Sequence, residues 1–125
     1  MRTAAFIVAI SIVTLSTGHS LAQDAAAGEK VFAKCKACHI VDEDKNKIGP
    51  GLKGVVGRTA GTHEGFKYSK PMQEAGAKGL VWDEANLDLY LADPKGFIKG
   101  NKMAFVGLKA EEDRANVIAY LKLHP

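Results

Sequence analysis

With 125 residues, 17 basic and 14 acidic side chains and a net charge of +3, the chain is too short for two ordinary domains. Its near-balanced charge gives no sign of a nucleic-acid partner, so what charge contributes must come from its placement along the chain. The core of a domain this small is marginal, and any large apolar group held within it would be a major part of what the chain folds around.

Residues 1–22 read as an export signal. Arg2 supplies a positive start, Ala4 to Leu15 an apolar stretch, and Ser20-Leu21-Ala22 the small residues of a cleavage site before Gln23. The apolar run falls short of the roughly 20 residues of a spanning helix, and Gly18, His19 and Ser20 interrupt it. The expected working domain is residues 23–125. In a bacterium it would act in the periplasm, an oxidising compartment.

The first helix is expected to start at an Asp24 cap and run to about Ala37, with Gly28 and Phe32 one turn apart and Val31 beside Cys35. It leads into Cys35-Lys36-Ala37-Cys38-His39, the attachment pattern of a c-type haem. On a helical turn the two sulfurs share a face and can form thioethers with two vinyl groups of one porphyrin. His39 falls on the same side, where a neutral imidazole nitrogen can bind iron. A Cys35–Cys38 disulfide or a redox dithiol would leave His39 unused. A zinc site would have to recruit His63 or His124 from positions without ligand-type spacing.

From Ile48 to Gly65 the chain carries six glycines, a connection long enough to wrap a disc. A short helix is expected from Ser69 as cap, with Pro71 in its first turn and Gly76 at its end. Trp82-Asp83-Glu84 opens another, in which Leu87, Tyr90 and Leu91 recur at helical spacing until Pro94. A second glycine-bearing connection follows, Gly96 to Gly107. The last helix has Glu111, Glu112 and Asp113 at its positive end and a stripe of Arg114, Val117, Ile118 and Leu121. The pattern is all-α, with no good strand.

Of the methionines, Met1 leaves with the signal and Met72 lies in a helix, where it would fill a core. Met103 sits in Lys99-Gly100-Asn101-Lys102-Met103, whose glycine permits a loop to approach a porphyrin closely. A thioether there would favour ferrous iron and raise the potential relative to two histidines.

From Gly28 to Leu123 the chain resembles the class I cytochromes c, of the cytochrome c2 and mitochondrial type. The resemblance runs in order through Gly28 and Phe32, the haem-attachment pentapeptide, Gly49-Pro50-Gly51-Leu52, Gly57-Arg58, Gly65-Phe66-Lys67-Tyr68, Trp82, Tyr90-Leu91, Asp93-Pro94-Lys95, Lys102-Met103-Ala104-Phe105 and Ile118-Ala119-Tyr120-Leu121. It implies a small cytochrome c fold, helices and glycine-rich loops around one haem c bound through Cys35 and Cys38, with His39 and Met103 on the iron. It further implies a Pro50 carbonyl on the free nitrogen of His39 and Arg58, Tyr68 and Trp82 at a buried propionate. Tyr90 would lie near the Met103 sulfur, and the first and last helices would cross at Gly28 and Phe32. Lys99, Asn101 and Met72 stand where the family commonly has proline, threonine and asparagine, which predicts a looser Met103 loop and an altered polar network.

Lys34, Lys36, Lys45, Lys47, Lys95, Lys99 and Lys102 flank the haem-binding segments, while Asp42-Glu43-Asp44 and Glu111-Glu112-Asp113 lie elsewhere in sequence. This predicts a basic ring that meets acidic redox partners and steers encounter without tight binding. The expectation is a monomeric periplasmic one-electron carrier and not an enzyme. By resemblance its donor would be a quinol-cytochrome c reductase or a dehydrogenase, and its acceptor a terminal oxidase or photosynthetic reaction centre. The rival is a haem enzyme or gas-binding haem protein with an open sixth site, as in a peroxidase, which Met103 argues against.

Overall fold

A computed structural model describes residues 23–125; the expected export signal, residues 1–22, lies outside the described residues. Five helices follow in chain order: α1 Ala25–Phe32, α2 Lys70–Ala77, α3 Glu84–Ala92, α4 Pro94–Phe97 and α5 Glu111–Lys122. Among the described residues there is no strand, only an isolated antiparallel bridge between Thr59 and Val81. None of these helices is long and apolar enough to cross a membrane.

The helix starts follow from side chains that satisfy the first free N–H groups. The Asp24 carboxylate accepts from the Ala26 and Ala27 N–H, Ser69 Oγ from Met72, and Asp83 from Asn86. α1 ends at Phe32, earlier than expected. Beyond it Ala33, Lys34 and Cys35 donate to carbonyls three residues back, so the chain tightens into turns. Pro94 stops α3 as expected but also begins α4, because the Asp93 side chain accepts from the Gly96 N–H. Gly76 does not end α2. It lies inside the helix, where a Cβ would come within 1.8 Å of the Ala60 carbonyl oxygen, so its role is close packing on the loop before it.

α1 and α5 cross at Gly28, where a Cβ would stand 1.9 Å from the Asn116 carbonyl oxygen. Phe32 packs against Tyr120 with ring centroids 5.3 Å apart, and the Asp24 N–H donates to Asn116 Oδ1 at 2.9 Å. α3 packs on α5 and α4 on α3. Arg114 ties α5 back: Nε donates to Asp88 Oδ1 at 2.7 Å and Nη1 to the Leu108 and Lys109 carbonyls. Phe32, Trp82, Leu87, Tyr90, Ile98, Val117, Ile118 and Leu121 form the buried core, and Met72 joins it as expected.

Candidate haem site

The turn after α1 sets the first group of side chains. The Cys35 carbonyl accepts from both Cys38 N–H at 3.1 Å and His39 N–H at 2.9 Å. Cys35 and Cys38 are free thiols, both partly buried. Burial, and then the neighbouring Cys38, push the Cys35 thiol above its ordinary pKa.

His39 is fixed from two directions. Its Nδ1 lies 2.8 Å from the Pro50 carbonyl oxygen. A carbonyl only accepts, so Nδ1 carries the proton and Nε2 is left with its lone pair. Burial lowers the imidazole pKa, against a smaller upward pull from the Pro50 bond, which keeps the ring neutral. Gly49 packs against the ring: a Cβ there would be 2.4 Å from Cε1 and 2.8 Å from Nδ1, so only glycine fits. Main-chain bonds from Gly49 to Cys38 and from Leu52 to Ile40, each 2.8 Å, hold this segment to the turn.

Arg58, Tyr68 and Trp82 are brought together by the glycine-rich connection. Arg58 donates from Nη1 to Gly51 at 2.8 Å and from Nη2 to Lys53 at 2.5 Å. The Trp82 N–H donates to the Arg58 carbonyl, also at 2.8 Å. The Tyr68 hydroxyl oxygen accepts from the His63 N–H at 3.1 Å, leaving its own proton to donate. Burial raises the Tyr68 pKa, and the nearby Arg58 charge opposes the rise. Arg58 therefore braces loop carbonyls as well as lending its charge to this corner.

His63 was visible in the sequence only as a weak zinc candidate. In the structure Nε2 pairs with Asp44 Oδ1 at 2.7 Å, and Nδ1 is the one buried side-chain nitrogen or oxygen among the described residues without a partner. No group of three or more His, Cys, Asp or Glu side chains among them could hold a metal ion, which leaves the zinc reading without a site.

Met103 is half-buried and packs on the core beside Phe105. The Tyr90 hydroxyl donates to its sulfur at 3.8 Å. Tyr90 is 8 % exposed, and burial pushes its pKa up to about 12, so the phenol stays protonated. Trp82 backs Tyr90 with ring centroids 4.8 Å apart. The loop is not loose where asparagine replaces threonine: Asn101 is buried and its Oδ1 accepts the Met103 N–H at 2.8 Å.

All seven flanking lysines are exposed. Lys45 differs from the rest because it pairs with Glu43; the others have no carboxylate partner among the described residues. The acidic run from Asp42 to Asp44 thus neutralises one member of the expected ring.

The donor set suits a covalently attached haem: two free thiols on one turn, an imidazole with an available nitrogen, a thioether, and an unpartnered buried nitrogen on His63, whose main-chain N–H meets the Tyr68 phenol. The family profile described as Cytochrome c matches residues 25–124. The chain is 59 % identical over 91 residues to cytochrome c2 iso-2 of Magnetospirillum fulvum, spanning 73 % of this chain and 92 % of that one. To cytochrome c2 iso-2 of Magnetospirillum molischianum it is 56 % identical over 99 residues, spanning 79 % and 96 %. The solved structure of cytochrome c2 from Rhodospirillum centenum superposes with a TM-score of 0.77 at 45 % identity, covering 81 % of this chain and 98 % of that one.

Proposed function

This chain belongs to the cytochrome c family of electron carriers, which bind haem c covalently, and on that premise we propose that it carries single electrons in the periplasm with His39 and Met103 as axial ligands. Cys35 and Cys38 are the thioether anchors. The observation that carries the ligand assignment is the pairing of a neutral imidazole locked by the Pro50 carbonyl with a thioether held by the Tyr90 hydroxyl.

Haem c supplies the redox chemistry, its iron accepting and returning one electron. Pro50 keeps the His39 proton on Nδ1 and the ring in one orientation in both oxidation states. Tyr90 orients the soft sulfur, whose ligation favours the ferrous state. Because neither side chain needs to move, little rearrangement opposes transfer. Arg58, Tyr68 and Trp82 are the side chains that would pair the carboxylates of a bound haem, a buried charge that needs partners.

Electrons arrive from a quinol-cytochrome c reductase or a periplasmic dehydrogenase and leave to an oxidase or, in a phototroph, a reaction centre. Lys34, Lys36, Lys47, Lys95, Lys99 and Lys102 supply the positive docking face, and the carrier works as a monomer. Two measurements test this. The intact mass of the exported protein should equal the chain from Gln23 plus one haem, and the bare chain would end the reading. Transfer to an acidic partner should slow as the Debye length shrinks from about 30 Å to about 8 Å between 0.01 and 0.15 M salt; a salt-independent rate would remove the charged docking face.

A further inference from the structure

Asn101 is 4 % exposed, although Gly100 and Lys102 on either side of it are exposed. Its side chain uses every kind of bond a carboxamide offers. Nδ2 donates to the Pro94 and Ile98 carbonyls, both at 2.8 Å, and Oδ1 accepts from the Met103 N–H at 2.8 Å. Its main chain is held too: the N–H donates to Ile98 at 3.2 Å, and the carbonyl accepts from Lys95 Nζ at 2.5 Å.

The surroundings fix which way the amide faces. Two carbonyls can only accept and one N–H can only donate, so a flipped amide would set oxygen against oxygen and hydrogen against hydrogen. No other side chain of this size meets the demand. A threonine hydroxyl has one donor, a carboxylate has none, and leucine has neither donor nor acceptor.

We propose that Asn101 is the positioning residue for Met103, a buried clamp that joins α4 to the ligand's own backbone and keeps the sulfur presented. This rests on the reading of Met103 as an axial ligand. Next to the clamp, Gly100 has φ +85° and Lys99 replaces a stiffening proline, so the segment has little rigidity of its own. The Asn101 amide supplies the stiffness that proline and threonine would give elsewhere. Without it the Met103 N–H loses its acceptor, the Pro94 and Ile98 carbonyls keep only their main-chain donors, and the open form of the loop gains population.

The test is displacement of the thioether by added imidazole in the ferric holoprotein, followed at the weak long-wavelength band of sulfur-ligated haem, with thermal unfolding measured beside it. Asn101→Leu keeps the branched four-atom outline and removes all three side-chain bonds, so half-displacement should need roughly tenfold less imidazole. Asn101→Thr, with one donor and one acceptor, should shift the same way by less, and it carries the test alone if the leucine variant fails to take up haem.

Asn116→Ala is the control. That buried asparagine, 5 % exposed, accepts the Asp24 N–H on the far pairing of α1 with α5, so its loss should lower the unfolding temperature and leave the imidazole curve in place. An unmoved curve in the Asn101 variants overturns the proposal, as does an equal shift in Asn116→Ala. Met103→Ala separates the underlying reading: if it retains the long-wavelength band, the ligand assignment itself has failed.

Discussion

His39 is held by backbone and by a missing side chain, whereas Met103 is held by a carboxamide and a phenol. Every restraint on His39 comes from residues 35 to 50: the Cys35 carbonyl takes its main-chain N–H, the Pro50 carbonyl takes the ring Nδ1 proton, and the bare face of Gly49 lies against the ring. Met103 draws on Tyr90, thirteen residues back, and on Asn101, which in turn leans on Pro94, Lys95 and Ile98. Steric and main-chain restraint tolerates almost no change and then fails abruptly. Restraint by polar side chains can be weakened one bond at a time, which leaves the sulfur side as the adjustable half of the site.

The largest effect is expected where the restraint is steric. Gly49→Ala drives a methyl group into the His39 ring, and the loss of packing and of the Pro50 bond should lower stability by about 3 kcal/mol. Denaturant unfolding of the holoprotein measures it; a near-normal stability would show that the imidazole has room to move and would erase the contrast between the two sides.

Tyr90→Phe should act more mildly and in two separable ways. The buried phenol has its pKa raised from 10 to about 12. Between those values the unfolded chain releases this proton while the folded chain keeps it. The stability it confers is therefore complete below pH 10 and is lost as pH rises through 12. Over that window the wild type should lose about 2–3 kcal/mol more than Tyr90→Phe. Tyr68, also raised, titrates in both proteins and cancels. Parallel unfolding curves from pH 8 to 12 would contradict this. Removing the hydroxyl also leaves the sulfur a better donor to ferric iron, so the midpoint should fall by about 20–60 mV.

Lys95→Ala should do least. The side chain is exposed, and its bond to the Asn101 carbonyl is worth about 0.5 kcal/mol after solvent screening. An effect as large as that of Gly49→Ala would mean that the clamp depends on the lysine and not on the buried amide.

The same contrast explains what could be read from the chain beforehand. Local features were legible: the caps at Asp24 and Ser69, the opening of α3 at Trp82-Asp83-Glu84, the turn carrying Cys35, Cys38 and His39, and the stripe of α5 all depend on residues within a few positions of one another. The early end of α1 was not, because the i−3 bonds beyond Phe32 leave no mark on apolar spacing. Pro94 reads as a stop, and its second role as the first residue of α4 depends on an Asp93 cap that serves only four residues. Gly76 reads as a terminator because nothing in the sequence reveals the Ala60 carbonyl pressed against it. His63 and Asn101 were hidden for the same reason, since their importance lies in buried partners brought from other segments. An asparagine two residues before Met103 does carry the signature of a side chain turning onto its own backbone, and that was the available clue.

Whether a nitrogen and a sulfur of this chain both bind the iron of one attached haem is tested most directly by comparing the wild type with Met103→Ala in ferric absorption and reductive titration. The substitution should abolish the long-wavelength sulfur band and lower the midpoint potential further than Tyr90→Phe does. An intact band with an unchanged midpoint would contradict that ligation.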